Sequence, residues 1–319
     1  MKAQLNILRL SYPPISNQEA EWLKDDPEVQ SIIKNSNLYM IGQKPESFFE
    51  FEEKDINKIF LGGKLNFLYC CNGIKSEGYI DLEEAIKKLD LDKEQIDIEL
   101  GPKMIRFWKM DKSTNEEIEV IMWFTTDKIL WDKWRGHPAV KGIDNYKQFT
   151  IYFLHYVGIS KEDDSLKRLV INPHDKRLRI LSNEYPMLKS SRLTDETVLF
   201  FFEIETITFT TLDNTDYENI EEILLMPEIE FVKICADAEK AFVKIMDSQY
   251  NKVKFKNYPK GKDGLYGDGL TRYGYVIGED ILFQTHKEVM RGKYINNYKK
   301  YLLTDMILIE GDNVTLIKK

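Results

Sequence analysis

No apolar run in this chain approaches the roughly 20 residues that span a bilayer, and no stretch is dominated by one residue type. The first residues, MKAQLNILRLSYPPIS, reach polar side chains and a proline pair too early for a signal peptide, so the expected location is cytoplasmic. Cysteine is scarce: Cys70 and Cys71 are adjacent, and Cys235 stands far away. That spacing offers neither a metal-ligand set nor a disulfide framework and predicts reduced packing residues. Repeats at solenoid spacing are missing as well. An excess of positive charge is also lacking, since 45 Lys and Arg face 53 Asp and Glu for a net charge of −8. This excludes a protein that coats nucleic acid through bulk charge, but not one with a local basic groove.

Apolar residues at 43% and aromatics at 12% place the chain among folded globular proteins. Its 319 residues suffice for two modest domains or for one domain with a large decoration. The first third alternates strand-like runs (LNILRL, KLNFLYCC, KMIRFWKM) with helical stretches. The clearest of these is DLEEAIKKL, where Leu82, Ile86 and Leu89 follow Asp81 as N-cap. No catalytic constellation stands in it, so residues 1–115 read as an α+β domain of recognition or scaffold type. The polar run from Asp111 to Glu119 marks the boundary to a second domain, residues 116–319.

Beyond that boundary VIMWFTT is strand-like, and TIYFLHYVGIS reads as a buried strand ending in a turn at Gly158. A short helix over KEDDSLKRLV follows, with Asp163, Asp164 or Ser165 as N-cap and Leu166, Leu169 and Val170 as its apolar stripe. TVLFFFEIETITF is the most strand-like run and is expected at the centre of a sheet. A helix from about Asp237 to Met246 presents Ala238, Ala241, Phe242 and Ile245 on one face. It leads into NKVKFKNYPKGK, where Lys252, Lys254, Lys256, Lys260 and Lys262 precede the first acid, Asp263. ILIEGDNVTLI predicts a hairpin about Gly311 and Asp312.

HYVGISKEDDSLKRLV resembles the second half of the GIY-YIG nuclease signature, a strand ending in Tyr-Val-Gly followed by a helix that carries Arg. The matching residues are Tyr156, Val157, Gly158 and Arg168. AEKAFVKIMDSQYN resembles the later block of that family, with Glu239 on a helix and Asn251 in the loop after it. His174, in NPHDKR, occupies a place where the superfamily uses a proton-transfer residue. The resemblance covers about a third of the chain. It implies a small mixed sheet flanked by helices and hydrolysis of DNA phosphodiester bonds with Mg²⁺ or Mn²⁺. Tyr156 or a partner tyrosine would stand near the attacking water, Arg168 on the phosphate and Glu239 on the metal. Asn251, Lys252, Lys254, Lys256 and Lys260 would hold the bound strand.

The chemistry such a site needs agrees with these residue types. A guanidinium can grip phosphate with two hydrogen bonds, and one carboxylate suits a Mg²⁺ that keeps most of its waters. Taken singly, a tyrosine at a strand end is core packing, a helical Glu is a solvated face, and a run of lysines is a wet edge. Only their order and spacing together favour a site. The family's first tyrosine, in a Gly-Ile-Tyr triplet, has no counterpart just before Tyr156, and Tyr146 and Tyr152 are the candidates for its role. Tyr152, four residues before Tyr156, is expected on the same strand face. The stretch from His174 to Glu239 exceeds a compact module and predicts an insertion. The expected function is an endonuclease of restriction or defence, with DNA and RNA not distinguished by the residues. An isologous homodimer would suit double-strand cleavage. Two other readings use the same residues: a nucleic-acid-binding module without chemistry, and a structural or protein-interaction protein.

Overall fold

The computed structural model describes residues 2–52, 63–87, 95–111, 113–114, 116–160, 165–172, 174–210, 229–296 and 303–319. In chain order, β1 (Lys2–Leu10) and the short β2 (Ile15–Ser16) lead into helices α1 (Asn17–Leu23) and α2 (Pro27–Ile33), and then β3 (Leu38–Gln43). Strands β4 (Ser47–Glu50), β5 (Lys64–Cys71) and β6 (Ile74–Asp81) follow, with helix α3 (Leu82–Ile86). The hairpin strands β7 (Ile96–Leu100), β8 (Met104–Met110) and β9 (Glu117–Thr125) come next. Helix α4 (Thr126–Arg135) and β10 (Val140–Gly142) return the chain to β11 (Ile151–Ile159). A π-helical turn (Lys167–Ile171), helices α5 (Asp175–Asn183) and α6 (Leu193–Glu196), and the long β12 (Thr197–Thr210) continue it. Helix α7 (Phe231–Met246) then precedes β13 (Arg272–Ile277), β14 (Leu282–Gln284), β15 (Val289–Arg291), β16 (Met306–Glu310) and β17 (Asn313–Ile317).

The fold is mixed α+β. Its main sheet runs β15-β14-β11-β3-β12-β1-β13-β16-β17, with β2 beside β12. Within it β1 pairs parallel with β13, and β11 with β14, while the other pairs are antiparallel. TVLFFFEIETITF forms β12 near the centre, as its apolar run requires. Val198, Phe200 and Phe202 fill the core on one face, and Leu199 and Phe201 fill the core on the other. Each fully buried aromatic or aliphatic side chain there stabilises the fold by roughly 1.5–3 kcal/mol. Two smaller sheets, β10-β6-β5-β4 and β7-β8-β9, lie between β3 and β11 in sequence. All three cysteines are buried free thiols. No helix among the described residues is long and apolar enough to cross a membrane.

The expected division near residue 115 is corrected. β8 and β9 pair across the polar run from Asp111 to Glu119, which is therefore a hairpin connection. The strands β1 and β3 from the first third also pair with β11, β12 and β13, so the main sheet joins both sides of that point. Polar composition marks a turn and a linker alike, and only long-range pairing tells them apart. The sheet is also larger than the small one expected.

Asp163 and Asp164 lie outside the described residues, and so do residues 211–228, most of TTLDNTDYENIEEILLMPEIE, which with SNEYPMLKSSRLTDE is one of the two places for the expected insertion. Ser165 does not cap its own segment: its hydroxyl donates to the Ser36 carbonyl. Helix α7 begins earlier than the predicted Asp237, because Ile234, Cys235 and Ala236 extend its buried face.

Where the chain leaves β3, Lys44 enters the core beside Asp127 of α4, with Nζ 2.7 Å from Oδ1. Tyr152 of β11 donates to the same carboxylate oxygen at 2.9 Å, and Tyr69 of β5 stands 3.4 Å from Lys44 Nζ. Burial pulls the Lys44 ammonium down, but the Asp127 carboxylate and the neighbouring phenols outweigh it and hold the group well above its ordinary value. One ion pair thus ties the smaller sheets to the strand that carries the site. Lys44→Met leaves Asp127 buried without its cation and should destabilise the fold by about 3–5 kcal/mol. Urea unfolding should show that loss, with much of it recovered in Lys44→Met/Asp127→Leu. A single-variant loss below about 1 kcal/mol, typical of an exposed pair, would refute the role of this pair.

Candidate active site

Strands β3 and β11 run antiparallel with Tyr39 opposite Gly158. The rings of Tyr39 and Tyr156 lie side by side, 6.1 Å between centroids. Glycine at 158 is what admits them. A Cβ there would come within 2.6 Å of a Tyr156 ring carbon and 2.8 Å of Tyr39 Oη, closer than packed atoms approach. Asn251 fixes the adjoining backbone: its amide donates to Val157 O at 2.8 Å and its oxygen accepts from Val157 N at 3.0 Å. Ser248 Oγ donates to that same oxygen.

His174 caps the N-terminus of α5, with Nδ1 accepting from Arg177 N at 3.2 Å. The ring proton therefore belongs on Nε2, which lies 3.0 Å from Tyr39 Oη and donates to it. The imidazole stands edge-on to both phenol rings, at centroid distances of 5.6 and 5.7 Å. Arg168, exposed on the π-helical turn, and the Tyr156 hydroxyl are both within hydrogen-bonding reach of Tyr39 Oη. Glu239 on α7 acts on both phenols through its charge. Four elements thus bring two phenols, an imidazole and a guanidinium together, and a fifth supplies a carboxylate whose charge reaches both phenols.

Burial is the first reason that both phenols are held above their ordinary values, and the Glu239 charge adds to it. Arg168 opposes that rise at each. Burial likewise pushes His174 down to about 4, helped by the cations Arg168, Lys176 and Arg177. Two acids on α7 have different tasks, because positions two apart point to opposite sides of a helix. Asp237 is buried and accepts from Tyr258, Tyr275 and the Leu265 N–H. Glu239 is half-buried, and its charge acts on both phenols.

Among the described residues no three His, Cys, Asp or Glu gather as a ready ligand set. A closed cage of the zinc or calcium kind does not match these residues. A hydrated Mg²⁺ or Mn²⁺ held by the single Glu239 carboxylate does, since such an ion keeps most of its waters.

No family model, curated protein or solved structure matches this chain. The site therefore rests on its geometry.

Several expectations are corrected. Tyr152 does not share a face with Tyr156, because the register of β11 shifts between Leu154 and Tyr156, leaving His155 as an extra residue. A bulge of this kind inverts the alternation of side chains. Tyr152 is wholly buried and bonds Asp127. Tyr146 donates to Asp280, 2.5 Å away. Neither lies beside Tyr156; Tyr39 does. Asn251 is buried with both polar ends engaged by Val157, so it positions β11 and does not face a ligand.

The lysines are unequal. They line a groove of about 440 Å³ with Lys240. Lys254 pairs with Asp247 and Lys260 with Asp312, acids that come from outside the lysine-rich segment. Lys252 and Lys256 are exposed. Arg177 was missed by the sequence reading, and it anchors α5 through Asn17 Oδ1 and the Leu169 carbonyl.

The depression of His174 has a direct consequence. The unfolded imidazole takes up its proton near pH 6.5, so the stability from keeping His174 neutral is present above that pH. It is lost as the pH falls toward 4. His155 is depressed in the same direction by its burial. Imidazole NMR titration should find His174 neutral down to about pH 4, with Nε2 protonated; a midpoint near 6.5 would contradict this environment.

Proposed function

We propose that the chain is a metal-dependent endonuclease of the GIY-YIG kind that hydrolyses DNA phosphodiester bonds. The observation that carries this reading is the gathering of Tyr156, His174 and Arg168 about Tyr39, with the Glu239 charge acting on both phenols. Each group has a task in the reaction. Arg168 is exposed and can leave Tyr39 to grip the phosphoryl oxygens with two hydrogen bonds. Glu239 would hold a hydrated Mg²⁺ or Mn²⁺, whose charge stabilises the leaving oxygen and offsets the burial of the phenols. Tyr39 and Tyr156 orient the attacking water. Tyr39 Oη, its own proton passed to solvent water under those cations, takes the proton of the attacking water as the water oxygen bonds to phosphorus; the P–O bond to the leaving oxygen breaks, and that oxygen is protonated from solvent. His174 remains neutral at pH 7 and donates Nε2–H to Tyr39 Oη, which stabilises the phenolate.

Against the binding-module reading stands Tyr39, a second tyrosine beside Tyr156. Against the structural reading stand the charges of Arg168 and Glu239, both of which act on Tyr156. Lys252, Lys254, Lys256 and Lys260 line the groove beyond Asn251, where they can follow the phosphate backbone. The ion pairs of Lys254 and Lys260 are partly exposed, so they exchange readily for phosphate.

Supercoiled plasmid incubated with the protein and Mg²⁺ should be nicked or linearised, and EDTA should stop the reaction. Arg168→Ala and Glu239→Gln should each slow cleavage by about 10²–10³-fold, the cost of removing one charge-stabilising group. A wild-type chain that never cuts, or variants that cut at the wild-type rate, would overturn the reading.

A further inference from the structure

Tyr185 exposes 86% of its surface, more than any other large apolar or aromatic side chain described. Its backbone is nonetheless fixed on both sides. Gln43 Nε2 donates to the Tyr185 carbonyl at 2.9 Å, and Glu184 just before it accepts from the Tyr250 hydroxyl at 2.6 Å. Just after it, the Met187 and Leu188 N–H groups donate to Glu196, a carboxylate with no exposure. Gln43 also donates to Glu196 and accepts from His155. An aromatic ring held outward on so rigid a base adds nothing to the core. Preorganised presentation of that kind is what a recognition contact requires.

The position of the ring suggests its partner. Gln43 and Tyr39 share a face of β3, being four residues apart, which places their side chains about 13 Å from each other. Helix α5 covers the same interval: His174 caps it beside Tyr39, and its nine residues span about 13 Å to the segment that holds Tyr185. Arg179 lies exposed between these ends, near Asp175 and Tyr250. Lys189 is exposed beyond, and Leu178 on α5 and Met187 two residues after Tyr185 also expose apolar surface. The ridge therefore joins cationic and apolar groups over about four base steps at 3.4 Å each. Paired bases inside a duplex hide their faces, whereas an unpaired base offers one to an aromatic ring.

We infer that Tyr185 is a stacking platform for an unpaired base on a nucleic-acid strand led along α5 from the phenol pair. The site would then favour single-stranded or splayed DNA over intact duplex. This inference rests on the nuclease reading of that pair.

The test is fluorescence anisotropy in EDTA with a 16-nucleotide single strand and a 16-base-pair blunt duplex, followed by cleavage of a splayed duplex in Mg²⁺. Tyr185→Ala should bind the single strand about fivefold to a hundredfold more weakly, the worth of one stacked base. Its duplex affinity should be unchanged, and Tyr185→Phe should bind both DNAs as the wild type does. Equal losses on both DNAs, no loss, or no binding of either DNA by the wild type would overturn the inference, the last leaving the ring to a protein partner. Selective single-strand loss without any cleavage by the wild type would overturn the nuclease reading and leave the stacking role standing.

Discussion

At His155 strand β11 carries one residue more than β3 can pair, and this bulge turns Tyr156 away from the face that holds Tyr152. Without it the alternation of the strand would bury Tyr156 beside Tyr152 and leave Tyr39 with no second phenol. The bulge is held from three directions. Gln43 accepts from the His155 ring, Tyr250 N donates to the His155 carbonyl, and Asn251 occupies the backbone of Val157. Gly158 then leaves the space in which both rings lie. A local irregularity that re-aims a side chain is a common device beside functional sites.

The same strands explain how a cluster of polar groups survives in a largely buried place. His174 is both the cap of α5 and a donor to Tyr39. Its burial first, and then the positive charges of Arg168, Lys176 and Arg177, lower its proton affinity and keep it neutral. Arg177 is spent on backbone and side-chain oxygens, so Arg168 is the cation that can move. Lys44 and Asp127 fasten the smaller sheets to β3 and β11, and disturbance of that pair would reach the phenols through both strands.

Much of the local structure was legible in the residues. The apolar run of β12, the helix behind Asp81 and the hairpin at Gly311 follow from patterns of a few residues, whereas Gly158, expected to turn the chain, lies within β11 opposite Tyr39. Tyr156, Arg168 and His174, named from order and spacing, stand about Tyr39, and the Glu239 charge acts on both phenols. Tyr39 itself was not named, because its strand is separated from β11 by two further sheets; Gln43 and His155, which touch, stand 112 positions apart. The one available signal was a tyrosine in the short apolar run from Leu38 to Gln43. Tyr152 misled for a different reason. A bulge depends on how the partner strand pairs, which periodicity along one strand does not carry. The lysine-rich segment was seen as free of acids, yet Asp247 and Asp312 reach it in space.

The account makes the Tyr39 hydroxyl the centre of the site and assigns Tyr146 none of its work. Plasmid cleavage at saturating Mg²⁺ by Tyr39→Phe and Tyr146→Phe, each shown by its urea midpoint to fold as the parent does, tests this most directly. Loss of about a hundredfold or more in Tyr39→Phe, with the parental rate retained in Tyr146→Phe, is the expected result. Parental activity in Tyr39→Phe would contradict the account.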